Sequence, residues 1–245
     1  AGTTFRFLTS YLAIQNNKEF ILTGSDRLKE RPIKELIKVL RKIGGKIEYL
    51  NNDGFAPLKI SGSKLKGGFV EIDGGISSQF ISSILLISPV LQNGIQLKIN
   101  SNLVSKLYIE MTLKLMSEFG IHWEWNKNKI EIKPQKYVAK NIAVEADWSA
   151  AVFWFEIASL SDNCTIKLNW LAVNSMQGDK KAQEIFEKLG VSSIFENNTL
   201  ILTKNKNINF PKHINLLANP DLYQPLKCTL SALNNTSKIK GLQTL

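Results

Sequence analysis

Cysteine is scarce in this sequence, and long apolar runs are missing. Cys164 and Cys228 are the two cysteines among 245 residues. They have neither the spacing of a metal-ligand set nor the density of an exported disulfide framework, so both read as reduced, buried thiols. No stretch approaches the ~18 uninterrupted apolar residues that a spanning helix needs. The opening Ala1-Gly2-Thr3 lacks the basic-then-apolar pattern of a secretory signal. The expectation is a soluble, cytoplasmic chain with no membrane partner. Low-complexity tracts are absent too, and an apolar content of 44% supports one large or two ordinary globular domains with real cores.

Positive charge is in excess. Lysine and arginine number 31 against 21 acidic residues, a formal charge of +10. That balance suits an anionic partner: nucleic acid, an acidic membrane surface, or phosphorylated small molecules. Composition does not choose among them. The lysines are spread along helices and hairpins, as at Lys34, Lys38, Lys42 and Lys46, and no basic–aromatic RNA-binding signature occurs. A solvated lysine-rich surface is the plain reading.

The informative signal is internal repetition. Between Gly68 and Pro134 the pattern predicts a strand (Phe69 to Asp73), a helix (Ser77 to Leu91), a strand (Ile95 to Asn100), a helix (Tyr108 to Phe119) and a hairpin (Ile121 to Trp125, then Ile130 to Lys133). Alternation as in Ile130-Glu131-Ile132 marks strands, and Ile109, Leu113, Leu115 and Met116 give a helical stripe. The unit is βαβαββ. The same order is expected from Asn141 to Lys204 and, without its first strand, from Gly2 to Gly62. Gly44, Gly120 and Gly190 end the second helix of each copy at nearly equal intervals, and each reads as a left-handed helix C-cap. A fourth copy begins near His213. The chain therefore reads as α/β (α+β), a repeat protein truncated at both ends, with Glu145-Ala146-Asp147 as the crossing between two domains.

Helix N-termini hold phosphate or carboxylate through unpaired N–H groups and a partial positive charge. The first helices of the copies open with Gly2-Thr3-Thr4, Ser77-Ser78-Gln79, Asp147-Trp148-Ser149 and Asp221. Copies packed about a pseudo-threefold axis would bring such ends together. For any one of them, ordinary capping by Ser, Thr or Asp is the competing explanation. Two stretches exceed what capping needs. Leu22 to Pro32 puts three cations and two acids into a strand-to-helix turn, with Pro32 pre-setting the first helical turn and an arginine able to grip an anion bidentately. Asp73-Gly74-Gly75 reads as a flexible turn that delivers Ser77, Ser78 and Gln79 to a single helix start.

Seven segments in order, Ala1 to Arg6, Leu22 to Gly24, Lys29 to Ile33, Asp73 to Phe80, Val104 to Ile109, Asn174 to Asp179 and Pro220-Asp221, resemble the ordered motifs of the enolpyruvylshikimate-phosphate synthase family. Phe7 and Leu107 stand where that family usually has proline. The resemblance implies two lobes of repeated βαβαββ units, an inside-out α/β barrel arrangement with substrates in an interdomain cleft. Residues 1–145 would supply two of three units of the shikimate-phosphate-binding lobe, and 146–245 part of a second lobe carrying Asp221. The helix starts at Ser77 and Asp221 would face a common cleft.

The implied reaction moves the enolpyruvyl group of phosphoenolpyruvate onto the 5-hydroxyl of shikimate 3-phosphate in the shikimate pathway, which leads to chorismate and the aromatic amino acids. The implied roles are Ser77, Ser78 and Ser105 on the shikimate phosphate, Gln79 touching both substrates, Tyr108 lining the shikimate side, and Gly2 and Arg31 against phosphoenolpyruvate. Asp221 would orient or deprotonate the attacking hydroxyl, and Arg6 would support the site structurally. No metal or redox cofactor is implied, and a monomer is. Several cationic motifs of the family lie outside residues 1–245, so the isolated chain is expected to turn over little or not at all. The alternatives are a sister enolpyruvyl transferase acting on UDP-N-acetylglucosamine, disfavoured by the absence of a cysteine in a matching loop, and a non-catalytic basic module that binds nucleic acid.

Overall fold

The computed structural model describes residues 1–75, 77–100, 103 and 106–242. Two compact units divide between Lys140 and Asn141, and each has its own apolar core. No described helix is long and apolar enough to cross a membrane.

The first unit opens with α1 (Gly2–Ala13), β1 (Glu19–Leu22), the single-turn α2 (Asp26–Lys29), α3 (Lys34–Lys42), β2 (Lys46–Tyr49) and β3 (Leu58–Ser61). It continues through β4 (Gly68–Asp73), α4 (Ser78–Ile87), β5 (Ile95–Asn100), α5 (Lys106–Glu118), β6 (Glu124–Asn126) and β7 (Lys129–Ile132). The second unit holds α6 (Trp148–Leu160), β8 (Thr165–Asn169), α7 (Ala182–Glu187), β9 (Val191–Glu196), β10 (Thr199–Lys204), β11 (His213–Asn215), α8 (Tyr223–Ala232) and β12 (Lys238–Lys240).

One pairing rule recurs. In the sheets β1-β3-β2, β4-β5-β7-β6 and β8-β10-β9, the last hairpin strand of a copy lies antiparallel between its two neighbours. β4 joins β5 in parallel, and β11 joins β12 in the same way, each pair linked by a helical crossover. Register follows the alternation of side chains: Ile95 stands opposite Ile132 and Leu97 opposite Ile130, all four buried. The β9–β10 turn is Asn197-Asn198, both with positive φ (46° and 61°), the conformation a two-residue hairpin favours.

The predicted C-cap glycines take up their role. Gly44 and Gly120 have φ of +106° and +80°. In each, the glycine N–H bonds three residues back (Arg41 and Ser117) and the next N–H bonds five back (Leu40 and Met116), which closes a Schellman cap. That cap uses Ile121, so β6 starts at Glu124, three residues later than expected.

Other differences have local causes. The α4 helix stops at Ile87 and not Leu91, because Pro89 has no N–H to continue it and the chain passes into a 3-10 turn, Ser88–Val90. Pro32 lies before the helix and not in its first turn, since α3 begins at Lys34 and the Ile33 N–H bonds to the Gly54 carbonyl. The opening strand expected from Asn141 does not form. Residues 141–147 carry no strand pairing, Val144 is 83% exposed, and the Ala146 N–H bonds to the Trp170 carbonyl, just past the end of β8. Cys228 is exposed and not buried, because α8 turns Pro225, Leu226, Thr229 and Leu230 inward; Cys164 is half-buried.

Candidate functional site

The first turns of α1 and α4 lie side by side, and polar side chains tie them together. Arg6, on the second turn of α1, donates from Nη1 to Gln79 Oε1 at 2.6 Å and to Ser77 Oγ at 3.3 Å. Gln79 Nε2 in turn donates to Thr3 Oγ1 at 3.0 Å. The guanidinium carbon of Arg6 rests 5.0 Å from the centre of the Phe80 ring. Ser77, the residue before α4, makes no side-chain capping bond, whereas Asp147 accepts from the Ser149 N–H and caps α6. Simple capping therefore accounts for Asp147 and not for Ser77.

Arg31 completes the group. Its guanidinium lies so close to the backbone of Gly2 that a Cβ there would stand 2.4 Å from Arg31 Nη1. The acids of the preceding turn are already committed, Glu30 to Arg27 at 2.5 Å and Asp26 to Lys29 at 2.9 Å. No carboxylate pairs with Arg31 among the described residues. Burial first, and then the like charge of Arg31, hold the pKa of Arg6 below the usual guanidinium value. Two guanidinium groups that repel each other beside a helix start are relieved by an anion between them. Arg31 borders a cleft of about 600 Å³ whose walls also include Gly2, Thr4, Leu22, Gly24 and Arg27.

At the start of the turn ahead of α4, the backbone N–H groups of Gly74 and Gly75 are both bonded. Gly74 N–H bonds to the Asn100 carbonyl at 2.7 Å, and Asp73 Oδ1 accepts from Gly75 N–H at 2.8 Å. A Cβ on Gly74 would meet Ile99 Cγ2 at 2.8 Å. Close approach to β5 and the following loop, not conformational freedom, is what the glycine provides.

Of the expected site residues, the structure brings Gly2, Arg31, Ser77 and Gln79 together around Arg6. Ser78 opens the same helix and is buried. Tyr108 is half-buried on α5, and its carbonyl oxygen lies 2.9 Å from Thr112 Oγ1. Ser105 lies outside the described residues. Asp221 sits exposed in a 3-10 turn of the second unit, Pro220–Leu222. Its charge, after burial as the larger cause, helps raise the pKa of Asp179. Asp179 is 3% exposed, accepts from Ser149 Oγ at 2.6 Å, and lies 3.4 Å from Asn219 Nδ2. The Asn174–Asp179 segment braces α6: Gln177 Oε1 accepts from the Trp148 N–H, and its Nε2 donates to the Ala146 carbonyl.

Thr3 was read only as part of a helix start and Arg6 only as a structural support; that both bond Gln79 was not legible. The available signal was their i, i+3 spacing on one helix face, which puts two polar groups side by side.

The 3-phosphoshikimate 1-carboxyvinyltransferase of Bacteroides fragilis is 41% identical over 246 residues, covering 100% of this chain and 60% of that protein. That of Mannheimia haemolytica is 40% identical over 196 residues, 78% of this chain and 45% of that protein. The chain thus spans about 60% of the length of the first of these curated relatives. A solved EPSP synthase from Acinetobacter baumannii has the same fold over 93% of this chain and 52% of its own, at a TM-score of 0.69 and 24% identity. The EPSP synthase (3-phosphoshikimate 1-carboxyvinyltransferase) family model matches from residue 1 to residue 245, and the chain belongs to that family.

Proposed function

We propose that this protein transfers the enolpyruvyl group of phosphoenolpyruvate to the 5-hydroxyl of shikimate 3-phosphate and releases phosphate. The observation that carries this reading is that Arg6 joins Ser77 and Gln79 while Arg31 rests on the backbone of Gly2 at the wall of an open cleft, which puts two cations and neutral donors at neighbouring helix starts. Ser77, Ser78 and Ser105 are assigned to the shikimate phosphate and Tyr108 to the ring side. Gln79 bridges the two substrates, and Gly2 with Arg31 receives phosphoenolpyruvate. Asp221 is assigned to the attacking hydroxyl, whose oxygen bonds the enolpyruvyl carbon as its proton leaves. As that bond forms the double bond opens and its terminal methylene takes a proton. The tetrahedral intermediate then gives up a proton from the resulting methyl group as the C–O bond to phosphate breaks, which re-forms the double bond and releases phosphate. Positioned cations and hydrogen-bond donors stabilise the charge that develops in such a transfer.

The same reading makes residues 1–145 two of three βαβαββ units of one lobe, and 146–245 part of a second, in the inside-out α/β barrel arrangement of the family. It takes the protein as a cytoplasmic monomer.

The assignments separate by substrate. In the full-length enzyme, Ser77→Ala should weaken shikimate 3-phosphate by about 1–3 kcal/mol, the range for a hydrogen bond to a charged group. Arg31→Ala should weaken phosphoenolpyruvate and lower turnover together. Calorimetry of each substrate with each variant, beside a thermal melt, reads the difference. Unchanged shikimate 3-phosphate affinity in Ser77→Ala, with only a lowered melting temperature, would defeat the phosphate assignment.

A further inference from the structure

One turn beyond the site, α4 carries two adjacent buried hydroxyls: one reaches the backbone of a site residue on α1, and the other reaches a threonine on α5 that is itself bonded to the backbone of a site residue. Ser83, 1% exposed, has its Oγ 2.9 Å from the carbonyl oxygen of Arg6 and 2.5 Å from Ser10 Oγ on α1. Ser82, 3% exposed, lies 2.8 Å from Thr112 Oγ1 on α5, and that oxygen is 2.9 Å from the carbonyl of Tyr108. A carbonyl only accepts and a hydroxyl carries one proton. Ser83 therefore donates to Arg6 and takes its second bond from Ser10, while Thr112 donates to Tyr108 and takes its second bond from Ser82.

The spacing gives these contacts a direction. Gln79 and Ser83 are four apart on α4 and face Thr3, Arg6 and Ser10 on α1. Ser78 and Ser82 are four apart on the stripe that leads to α5. Interdigitated apolar packing already resists sliding of one helix along another, and buried hydroxyl pairs add directional contacts to it. A buried hydroxyl that loses its partner is costly, so these bonds hold the helices in one axial register. We propose that Ser82 and Ser83 are positioning residues. Ser83 sets the height of Arg6 and the α1 N-terminus against Gln79, and Ser82 sets the height of Tyr108 against Ser78. The inference rests on the transferase reading above.

The test uses the full-length enzyme with both substrates. Ser83→Ala should raise the KM for phosphoenolpyruvate roughly three- to tenfold, with kcat within about a factor of two and the KM for shikimate 3-phosphate less affected. Ser82→Ala should show the reverse preference. Thr112→Val keeps the volume and removes the same link, so it should reproduce the effect of Ser82→Ala and serves in its place if that variant does not fold. Ser83→Cys keeps the size and a weak donor, and should fall between wild type and Ser83→Ala. A lowered melting temperature with both KM values unchanged, or equal losses for both substrates in both variants, overturns the proposal. Absence of turnover in the wild-type enzyme would instead overturn the transferase reading.

Discussion

At the scale of single residues, the site depends on what a side chain leaves open as much as on what it contributes. Gly2 has no Cβ, and that space is filled by the guanidinium of Arg31. Gly2→Ala should therefore push Arg31 aside and raise the KM for phosphoenolpyruvate with little change in melting temperature, because α1 tolerates alanine and the far end of an arginine can move. Steady-state kinetics of the full-length enzyme beside a thermal scan checks this, and an unchanged KM would show that Arg31 does not bind the donor where it rests here. Asp179 makes a pH prediction. Burial, which outweighs the hydrogen bond from Ser149, raises its pKa in the folded state. A raised carboxyl pKa means that the folded state holds the proton longer than the unfolded chain does. Stability should thus decline as pH rises above the ordinary aspartate range, about 4, and through the folded pKa. Melting curves between pH 4 and pH 7 should show this decline in the wild type and a smaller one in Asp179→Asn.

At the scale of elements, the repeat is punctuated by backbone geometry. Gly120 at φ +80° closes α5, and an added Cβ would also come within 3.0 Å of Val138 Cγ2. Gly120→Ala should cost about 1 kcal/mol or more, read as a lowered denaturation midpoint at unchanged slope. Much at this scale was legible. Alternation identified β4, β5 and β7, the 3.6-residue stripe identified α5, and the glycines marked where helices end. What was misread depended on neighbours. Residues 141–147 have the apolar content of a strand but form no strand pairing, and Ile121 was drawn into a helix cap before it could start a hairpin. The α6 helix shows the limit most clearly. Its apolar residues run around its whole circumference, so periodicity did not indicate which side packs; Trp148, Val152 and Phe155 turn inward while Phe153, Trp154 and Ile157 remain exposed.

At the scale of the whole molecule, the two apolar clusters share no residue, one running from Phe5 to Ile132 and the other from Trp148 to Leu230. Each unit should behave as a separate cooperative block in hydrogen exchange. Limited proteolysis should cut first between Lys140 and Glu145, where Ile142 and Val144 are exposed and no strand or helix protects the backbone. Mass spectrometry of the early fragments reads the position, and a first cut inside either unit would contradict it.

The sequence by itself determined the order of elements, the repeat, the caps and the local motifs of the site, because each is written in residues a few positions apart and enforced by helix and strand periodicity. The motif order also carried the family. Only the tertiary structure decided that Arg6 joins Gln79 across 73 positions, that Arg31 rests on Gly2, and that Ser82 and Ser83 reach opposite helices. Those contacts form between side chains distant in the chain, brought together by burial of the core between α1, α4 and α5, and no local pattern encodes the partner of a polar group that meets its match only after the helices pack.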